Sequence, residues 1–501
     1  MSSLIYPFLL PILTALVGLF LGAAGWRRRA FFAISAAGQV VVAFSLAAHA
    51  LSGEPLVLLL GNWTAPLGIV LVADGLAGIM LCLSTVVALA CILFSFAEIP
   101  ILSEQPLRLP LVQFLVAGIN LTFLTGDLFN LFVAFEVMLI ASYALLTLEA
   151  NDRDIKQAYP YLAVNLFGSA LFLAAAGFAY GLFGTLNLAH LAQRMAEAPD
   201  SLGVTLVAVL LLVVFGIKTG IFPLYYWLPN SYPILPFSLG ALYSGMLTKV
   251  GVYVFLRMLG TVFPHSLNDI HTVLAWLAGP TMVIAVLGAV SRNFIRGILS
   301  YHILSQIGYM VVAIGFFTPL GIAACIFYVM HHILVKSSLF LIAGAAMFQS
   351  HTDHLAKMGG LWRVSPVLGV CFLIQAFSLA GLPPLSGFWG KYLIVLVGLD
   401  EGYYWLVAAA IIASILTTVS MLKIWFGAFW QDAPEDAVFP KAGAARPMTV
   451  VIAAMTGVSL GIGLGAEFFI NISMAAADSL LNQEQYQEAV FRAIGKGVLV
   501  P

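Results

Sequence analysis

Charge is scarce in this sequence. Asp, Glu, Lys and Arg make up 9% of the 501 residues, whereas hydrophobic residues make up 62%. A water-soluble protein of this length needs far more charged and polar side chains, because its surface must be solvated. The composition therefore excludes a water-soluble fold and predicts an integral membrane protein.

Cysteines are few, and nucleotide-binding signatures are absent. The cysteines Cys82, Cys91, Cys325 and Cys371 lie in separate apolar stretches without C-x-x-C spacing. This spacing indicates small core residues and neither a disulfide framework nor a thiolate metal site. The sequence contains no phosphate-binding P-loop and no dinucleotide fingerprint. We therefore expect no cofactor, no metal ion and no enzymatic reaction in this chain, and an ion gradient or a partner as the energy source.

Apolar runs of roughly 20 residues recur along the whole chain, and each is long enough to cross a bilayer as a helix. The runs are apolar on all faces, whereas strands of a membrane barrel alternate apolar and polar residues. The sequence predicts an all-α polytopic membrane protein, with one membrane domain over 1–501 and about fourteen spans. The span centres lie near Ile12, Val41, Ser84, Gly118, Met138, Leu171, Leu212, Met246, Val283, Tyr309, Met330, Ile374, Ile412 and Gly457.

Basic residues alternate between the two sides of the predicted membrane domain. One side holds only Arg194, Arg257, Arg492 and Lys496, whereas the loops after odd-numbered spans hold a much larger set. By the positive-inside rule these loops are cytoplasmic, so both termini lie outside a bacterial cytoplasmic membrane. The larger set comprises Arg27, Arg28, Arg29, Arg108, Arg153, Lys156, Arg292, Arg296, Lys357, Arg363, Lys441 and Arg446, with Lys423 near the same side.

Five ionisable groups remain inside the predicted spans: Glu136, Lys218, Lys249, Lys336 and Lys391. Snorkelling, in which a long side chain reaches the membrane interface, is the alternative explanation for each of them singly. Unpaired, the five groups together would cost more than roughly 10 kcal/mol, which is comparable to the stability of a whole domain. We therefore expect them to face one another, or water, inside the bundle.

A buried lysine beside a carboxylate has the properties of a proton switch. Burial favours the neutral amine, and a neighbouring carboxylate favours the ammonium ion, so moving the carboxylate moves the proton. Glu136 as the carboxylate and Lys218 as the responding amine fit these roles, although the sequence alone does not place them in contact.

Histidines extend this set, because they titrate near neutral pH. His332 and Lys336 are four residues apart and share a helix face, which favours His332 as a relay group. His302 and His331 are secondary candidates, and for every one of these histidines the alternative is a hydrogen-bonded structural residue. Asp127 lies near a helix end, where a carboxylate caps backbone amides or borders an ion entrance.

Two predicted spans contain helix breakers. Gly220 and Pro223 follow Lys218 in the seventh span, and 381-GLPP-384 precedes Lys391 in the twelfth. Interrupted helices occur in a bilayer only where protein or water satisfies the freed backbone groups. The breaks lie five spans apart, so the two helices run in opposite directions, a pattern typical of inverted repeats around an ion site. We predict two inverted five-helix repeats with these bounds: N-terminal helices over 1–108, repeats over 109–260 and 271–430, and a last helix with a tail over 447–501.

Several long segments resemble the antiporter-like subunits of respiratory complex I and of Mrp antiporters. These segments are 126-GDLFNLFVAFEVMLIASYALL-146, the region 216–257 that ends in LTKVGVYVFLR, 297-GILSYHILSQIGYM-310, 331-HHILVKSSLFLIAG-344 and 381-GLPPLSGFWGKYLI-394. Within that family the motifs are most similar to the D-type subunits of Mrp-type multisubunit Na⁺/H⁺ antiporters. The length agrees, because two other members of the family continue well beyond fourteen spans.

The resemblance implies a set of functional residues where the motifs match. In the family they are a glutamate on the fifth helix, lysines on the seventh and eighth, a polar pair on the eleventh and a terminal group on the twelfth. One complex I relative carries glutamate at the last position, and the lysine found here argues against that relative. The matching residues of this chain are Glu136, Lys218, Lys249, His332, Lys336 and Lys391.

The implied function is that of a proton-translocating subunit of a multisubunit Na⁺/H⁺ antiporter, which is a secondary transporter subunit and not an enzyme. The expected partners are the other subunits of a hetero-oligomeric complex, protons, Na⁺ and the lipid bilayer, and no nucleic acid. The alternative is a proton-pumping subunit of a complex I-like NADH:quinone oxidoreductase or of a membrane-bound hydrogenase. A purely structural scaffold is disfavoured by the cost of the five buried ionisable groups.

Overall fold

The computed structural model describes residues 2–21, 25–51, 53–63, 68–197, 199, 201–435, 439–440 and 445–497. Over these residues the chain is helical, apart from connecting segments and one two-stranded sheet. Lys441, one of the predicted basic loop residues, and the last four residues of the predicted tail, 498–501, lie outside the described residues.

The described residues contain twelve helices that are long and apolar enough to cross a membrane, and two shorter apolar helices. The shorter two lie where the fourth and twelfth spans are predicted. The all-α polytopic fold is confirmed, and the helices account for all fourteen predicted spans. Spans 1 to 14 are Ser3–Phe20, Trp26–Ala50, Gly75–Glu98, Arg108–Leu124, Leu128–Thr147, Asp152–Phe183, Leu202–Thr219, Phe237–Val262, Asp269–Ser291, Ile295–Phe316, Pro319–Ser350, Pro366–Ala380, Tyr404–Trp430 and Arg446–Leu464.

The sheet and the remaining helices connect or cover the spans. The strands Leu56–Leu59 and Val70–Ala73 pair antiparallel, with Leu56 opposite Ala73. The other α-helices are Leu188–Glu197, Trp227–Ser231, Leu361–Val364, Ser386–Asp400, Ala466–Leu481 and Gln483–Gly497. The 3₁₀ turns are Ser2–Ile5, Leu60–Asn62, Ile101–Ser103, Tyr232–Ile234 and Leu355–Lys357.

Spans 8, 10 and 11 form the centre of the bundle. Nearly all of their residues are buried, whereas only a minority is buried in spans 1 and 2, which lie at the periphery. A helix that is hydrophobic all round and fully buried needs protein neighbours on every side. The polar residues of the central spans are therefore enclosed by protein and not exposed to lipid.

Spans 7 and 12 are interrupted, as predicted. After its break span 7 continues as Trp227–Ser231, and span 12 continues as Ser386–Asp400. The first half of each span ends in a left-handed glycine, Gly220 at φ 82° and Gly381 at φ 92°, a conformation that glycine adopts at little cost. The last carbonyls before such a break have no partner in a following turn, so they are free to bind side chains. The division into two inverted repeats stays a prediction.

Span 8 departs from regular α-helix in two places. The segments Phe237–Leu242 and Thr248–Arg257 are α-helical, and each is followed by a π-helical turn, Tyr243–Leu247 and Met258–Val262. π-Helical turns are rare, and they occur often at functional sites. The first of them ends two residues before Lys249.

One face of the bundle, which we call the capped face, is covered by the sheet and by the helices Leu188–Glu197 and Gln483–Gly497. The second of these helices packs against the first and against the first strand. The opposite face, which we call the basic face, carries the loop arginines, including Arg153 and Arg292. The two faces correspond to the two sides that the alternation of basic residues separates.

Arg257 is a buried residue near the end of span 8. Its guanidinium group donates to both carboxylate oxygens of Asp74, at 2.5 and 2.8 Å. Burial would raise the pKa of the Asp74 carboxyl, but the charge and hydrogen bonds of Arg257 hold that pKa below its usual value. Because Asp74 also caps the start of span 3 through the amide of Ala77, the ion pair joins spans 3 and 8 at the capped face.

Candidate functional site

Lys218 lies at the broken end of span 7 and is 3% exposed. Its ammonium group donates to the carbonyl oxygen of Asn165 and to the hydroxyl of Ser169, both at 3.2 Å and both on span 6. The ring of Phe135 on span 5 lies 5.9 Å from the ammonium nitrogen. A cation in the last turn of a helix is stabilised by the helix dipole, so the position itself offsets part of the cost of burial.

Glu136 on span 5 lies within electrostatic range of Lys218, and its charge favours the ammonium ion. The ion pairs of the described residues do not include a direct contact between the two. The Oε1 atom of Glu136 is buried and accepts no hydrogen bond from a described protein group. The structure therefore brings the predicted switch pair close, but with the lysine bound to span 6 instead of the carboxylate.

Lys249 is fully buried in the middle of span 8. Its ammonium nitrogen donates to the backbone carbonyl of Ser244 and, at 3.1 Å, to the hydroxyl of Thr248. Ser244 belongs to the first π-helical turn. A buried ammonium group needs acceptors to replace water, and this irregular turn provides one of them from the same helix.

His332 and Lys336 are fully buried on span 11. Neither imidazole nitrogen of His332, nor the ammonium nitrogen of Lys336, has a hydrogen-bond partner among the described protein groups. Lys249 acts electrostatically on both residues. Cations at short range in a low-dielectric interior repel strongly, so protonation of one of these groups disfavours protonation of the others.

His302 and His331 each bind a serine, unlike His332. The Nε2 atom of His302 lies 2.6 Å from the hydroxyl oxygen of Ser420 on span 13. The Nδ1 atom of His331 lies 2.8 Å from the hydroxyl oxygen of Ser386, at the restart of span 12. Both histidines thus have a hydrogen bond that fixes the orientation of the ring.

Lys391 lies beyond the break of span 12, and its ammonium group reaches back to the end of the first half. It donates to the carbonyl oxygens of Leu379 at 2.9 Å and Ala380 at 3.0 Å, and to the hydroxyl of Ser414 at 3.2 Å. The ring of Tyr309 lies 4.8 Å from the ammonium nitrogen, a cation–π distance. The carbonyls freed by the break therefore serve as ligands of the lysine.

The groups form a row through the bundle. Electrostatic interactions connect Lys249 to Lys336, and Lys391 to both His302 and His331. The hydroxyl of Thr219 lies between Lys218 and Lys249. It has no described hydrogen-bond partner in the protein, and it packs against span 8. A Cβ at Gly251 would overlap that hydroxyl, so the glycine permits the close approach of spans 7 and 8.

Serine hydroxyls are the functional groups that sequence reasoning missed. They bind four of the predicted residues from neighbouring spans, and nothing in a single apolar span distinguishes them from structural serines. In the sequence, only the stretch 378-SLAGLPPLSG-387 could have indicated such hydroxyls, because two of its serines flank a helix break. The hydroxyls are those of Ser169, Ser386, Ser414 and Ser420.

Asp127 lies apart from this row, at the capped face. It caps span 5 by accepting a hydrogen bond from the amide of Asn130 at 2.8 Å, and it is 6% exposed. Burial raises the pKa of its carboxyl to about 6, despite hydrogen bonds from the amides of Asn130 and Phe129. Its described electrostatic contact is with Tyr486 of the C-terminal helix, so the structure favours the capping interpretation.

The family model described as "NADH:quinone oxidoreductase/Mrp antiporter, TM" matches residues 125–417. This chain belongs to that family. The match includes Asp127 and every residue of the row from Glu136 to Lys391. Among the residues that the structure describes, no group of three or more His, Cys, Asp and Glu side chains is placed to hold a metal ion.

Similar proteins cover the chain from end to end. It is 41% identical to a D-type Na⁺/H⁺ antiporter subunit of Alkalihalophilus pseudofirmus, with 98% of this chain and 99% of the relative aligned. The D-type Na⁺/H⁺ antiporter subunit of Bacillus subtilis is 37% identical over 98% and 99% of the two chains. A chain in the structure of the Mrp complex from a Dietzia species superposes with a TM-score of 0.92 at 30% identity, covering 98% of this chain and 99% of that one.

The raised pKa of Asp127 predicts a pH-dependent stability. In the unfolded chain the carboxyl ionises near pH 4, but in the folded chain only near pH 6. The folded state therefore loses stability as the pH rises through this window, by on the order of 3 kcal/mol once both states are ionised. Asp127→Asn keeps the cap and removes the ionisation, so we expect it to raise the thermal midpoint at about pH 7.5 more than at about pH 4.5.

The measurement is the thermal unfolding midpoint of the purified protein, followed by intrinsic fluorescence at both pH values. Asp400→Asn, at an exposed position near a helix end, is the control for removal of a surface carboxylate. An Asp127→Asn midpoint that is lower than wild type at the higher pH would contradict the interpretation.

Proposed function

We propose that the chain is the proton-translocating subunit of a multisubunit Na⁺/H⁺ antiporter. The observation that carries the proposal is the row of ionisable groups from the half-buried Glu136 to Lys391, whose lysines and histidines are buried and which a structural scaffold has no reason to maintain at its energetic cost. The likeness to proteins named as D-type Na⁺/H⁺ antiporter subunits over the full length of the chain supports this function. We infer that the chain is a transporter subunit and not an enzyme.

In the proposed mechanism Glu136 and Lys218 form one end of the proton path. Lys218 is bound to span 6 in the structure, and an approach of its ammonium group to the unpartnered Glu136 carboxylate would add a charge-assisted hydrogen bond. That approach stabilises the proton on Lys218. When the ammonium group returns to span 6, Lys218 holds its proton less firmly. The pair thus couples a movement of the ammonium group to the affinity of the lysine for its proton.

The middle of the path depends on repulsion between cations. When Lys218 carries its proton, the next charge along the row is disfavoured, and when Lys218 releases it, the central groups can accept one. Lys249, Lys336 and His332 share a single enclosed region, so their protons move as a coupled set. Lys391 forms the other end, and there the carbonyls of the break hold the ammonium group until the proton leaves.

The proposed setting follows from the alternation of basic residues. We infer that the basic face is cytoplasmic, that both termini lie outside, and that the membrane is a bacterial cytoplasmic membrane. The partners are the other subunits of the antiporter complex, which supply the route for Na⁺ where this chain does not. The family also includes subunits of NADH:quinone oxidoreductases, so a redox-driven pump is the alternative assembly, and genes for quinone-reductase subunits beside this one would favour it.

The switch pair gives the most direct test of the function. In Glu136→Gln the side chain keeps its size but loses the charge that favours the Lys218 ammonium ion, and we expect antiport to fall by at least about tenfold. Lys218→Ala should have the same effect, and Glu136→Asp should retain part of the activity because the charge remains. The measurement is Na⁺-dependent dissipation of a pH gradient in vesicles that contain the assembled complex.

Two controls make this result interpretable. Assembly is checked by copurification of the other subunits, and Glu149→Gln tests removal of an acidic residue at the end of span 5 that lies outside the row. Near-normal transport by assembled Glu136→Gln complex would leave Glu136 with a structural role and would remove the first step of the proposed path.

The proposed orientation predicts the accessibility of single cysteines. Arg153 lies exposed on the basic face, and Glu197 lies exposed in the helix of the capped face. In a cysteine-free background we expect Arg153→Cys to react with an impermeant maleimide only from the cytoplasmic side, and Glu197→Cys only from outside. Reaction of both from the same side of intact cells would contradict the fourteen-span topology.

A further inference from the structure

His331 differs from its neighbour His332 in its hydrogen-bond contacts. The two are adjacent on span 11 and both are buried, but only His331 reaches the break of span 12. Its Nδ1 atom lies 2.8 Å from the hydroxyl oxygen of Ser386 and 3.5 Å from that of Ser378. Its Nε2 atom has no hydrogen-bond partner among the described protein groups.

The two serines bridge the break. Ser378 lies in the last turn of the first half of span 12, Ser386 is the first residue of the second half, and their hydroxyl oxygens are 3.0 Å apart. Gly387 makes this arrangement possible, because a Cβ there would overlap the Ser378 carbonyl oxygen and crowd the His331 ring. The imidazole of His331 and the hydroxyls of Ser386 and Ser378 thus form one continuous hydrogen-bonded unit across the helix break.

This unit lies between the centre of the row and its end at Lys391. Lys391 acts electrostatically on His331, and His331 acts on His332. The carbonyl of Leu379, the residue after Ser378, accepts a hydrogen bond from Lys391. His331 is therefore connected to both sides of the gap between the two helices.

We propose that His331 is a relay group that passes protons between span 11 and Lys391 across the break of span 12, and that the hydroxyls of Ser386 and Ser378 are the next groups of the relay. In each transfer His331 accepts a proton at Nε2 and releases the proton of Nδ1 to the Ser386 oxygen. Ser386 passes its own hydroxyl proton to Ser378, and the Ser378 proton moves through water to the neutral amine of Lys391. Neither serine keeps a charge, and rotation of the groups resets the unit.

Few titratable groups among the described residues face His331 itself. The titratable groups that face it are Lys391 from span 12, and His332 and Tyr328 from its own span, the last with ring centres 5.2 Å apart. Span 14 presents Gly463 against the restart of span 12. The inference rests on the proposed function, because without proton transport the unit has nothing to relay.

The test separates hydrogen bonding from proton exchange. The amide of asparagine can replace the Nδ1 contact with Ser386 but cannot take up a proton at neutral pH. We expect His331→Asn to lower Na⁺/H⁺ antiport by at least about tenfold in assembled complex. We expect Ser386→Ala, which removes the acceptor of the Nδ1 proton, to lower the rate and to move the pH at half-maximal transport by at least about half a unit.

Ser338→Ala is the matched control, because Ser338 is a fully buried serine of span 11 whose hydroxyl has no described protein partner. It should keep the wild-type rate and pH profile. Wild-type transport by His331→Asn would show that the position needs only a hydrogen bond, and this would overturn the relay. If His331→Asn does not assemble, an unchanged pH profile in assembled Ser386→Ala complex has the same consequence.

Glu136→Gln separates this inference from the proposed function. If Glu136→Gln is inactive while His331→Asn transports normally, the antiporter function stands and the relay through His331 fails. If assembled Glu136→Gln complex also transports normally, the proposed proton path itself fails.

Discussion

The structure depends on the need to supply acceptors to ammonium groups that lie inside a membrane bundle. An ammonium ion has three donors and no acceptor, and in the bundle it cannot keep its hydration shell. The acceptors of these lysines come from irregular backbone or from a hydroxyl, and at Lys218 also from a carbonyl of the regular helix of span 6. Lys249 uses a π-helical turn, Lys391 uses the last carbonyls before a break, and Lys218 uses a carbonyl and a hydroxyl of span 6. At Lys249 and Lys391 the irregular backbone of the helices therefore supplies the acceptors of the charges.

The same arrangement explains why the groups can exchange protons. Lys336 and His332 lack described acceptors, whereas the lysines at the two ends have them. The charged form is consequently better supported at the three lysines with acceptors than at Lys336 and His332, and repulsion among the central cations sharpens this difference. A proton at the centre is held less firmly and tends to move on, and the glycines at the breaks and at Gly251 allow the helices to approach closely enough for that movement.

Much of this organisation could be predicted from the sequence. The apolar runs determine the number of spans, and the cost of burial identifies Glu136 and the four lysines without knowledge of the fold. The contacts between spans could not be predicted, because a serine in an apolar helix has the same local pattern whether it binds His331 or its own backbone. The ion pair of Arg257 is a related case, because only tertiary packing brings Asp74 to it. Contact between Glu136 and Lys218 likewise depends on packing, and in the structure Lys218 binds span 6.

The central claim is that the buried groups exchange protons and do not merely provide fixed charge. Lys391 allows the sharpest test, because arginine preserves the positive charge but does not release its proton at physiological pH. The decisive measurement is proton-coupled Na⁺ transport by assembled Lys391→Arg complex in sealed vesicles, with Lys391→Ala and wild type measured in parallel. The account predicts that Lys391→Arg is nearly as inactive as Lys391→Ala. Wild-type transport by Lys391→Arg would contradict it, because a fixed charge would then suffice at the end of the row.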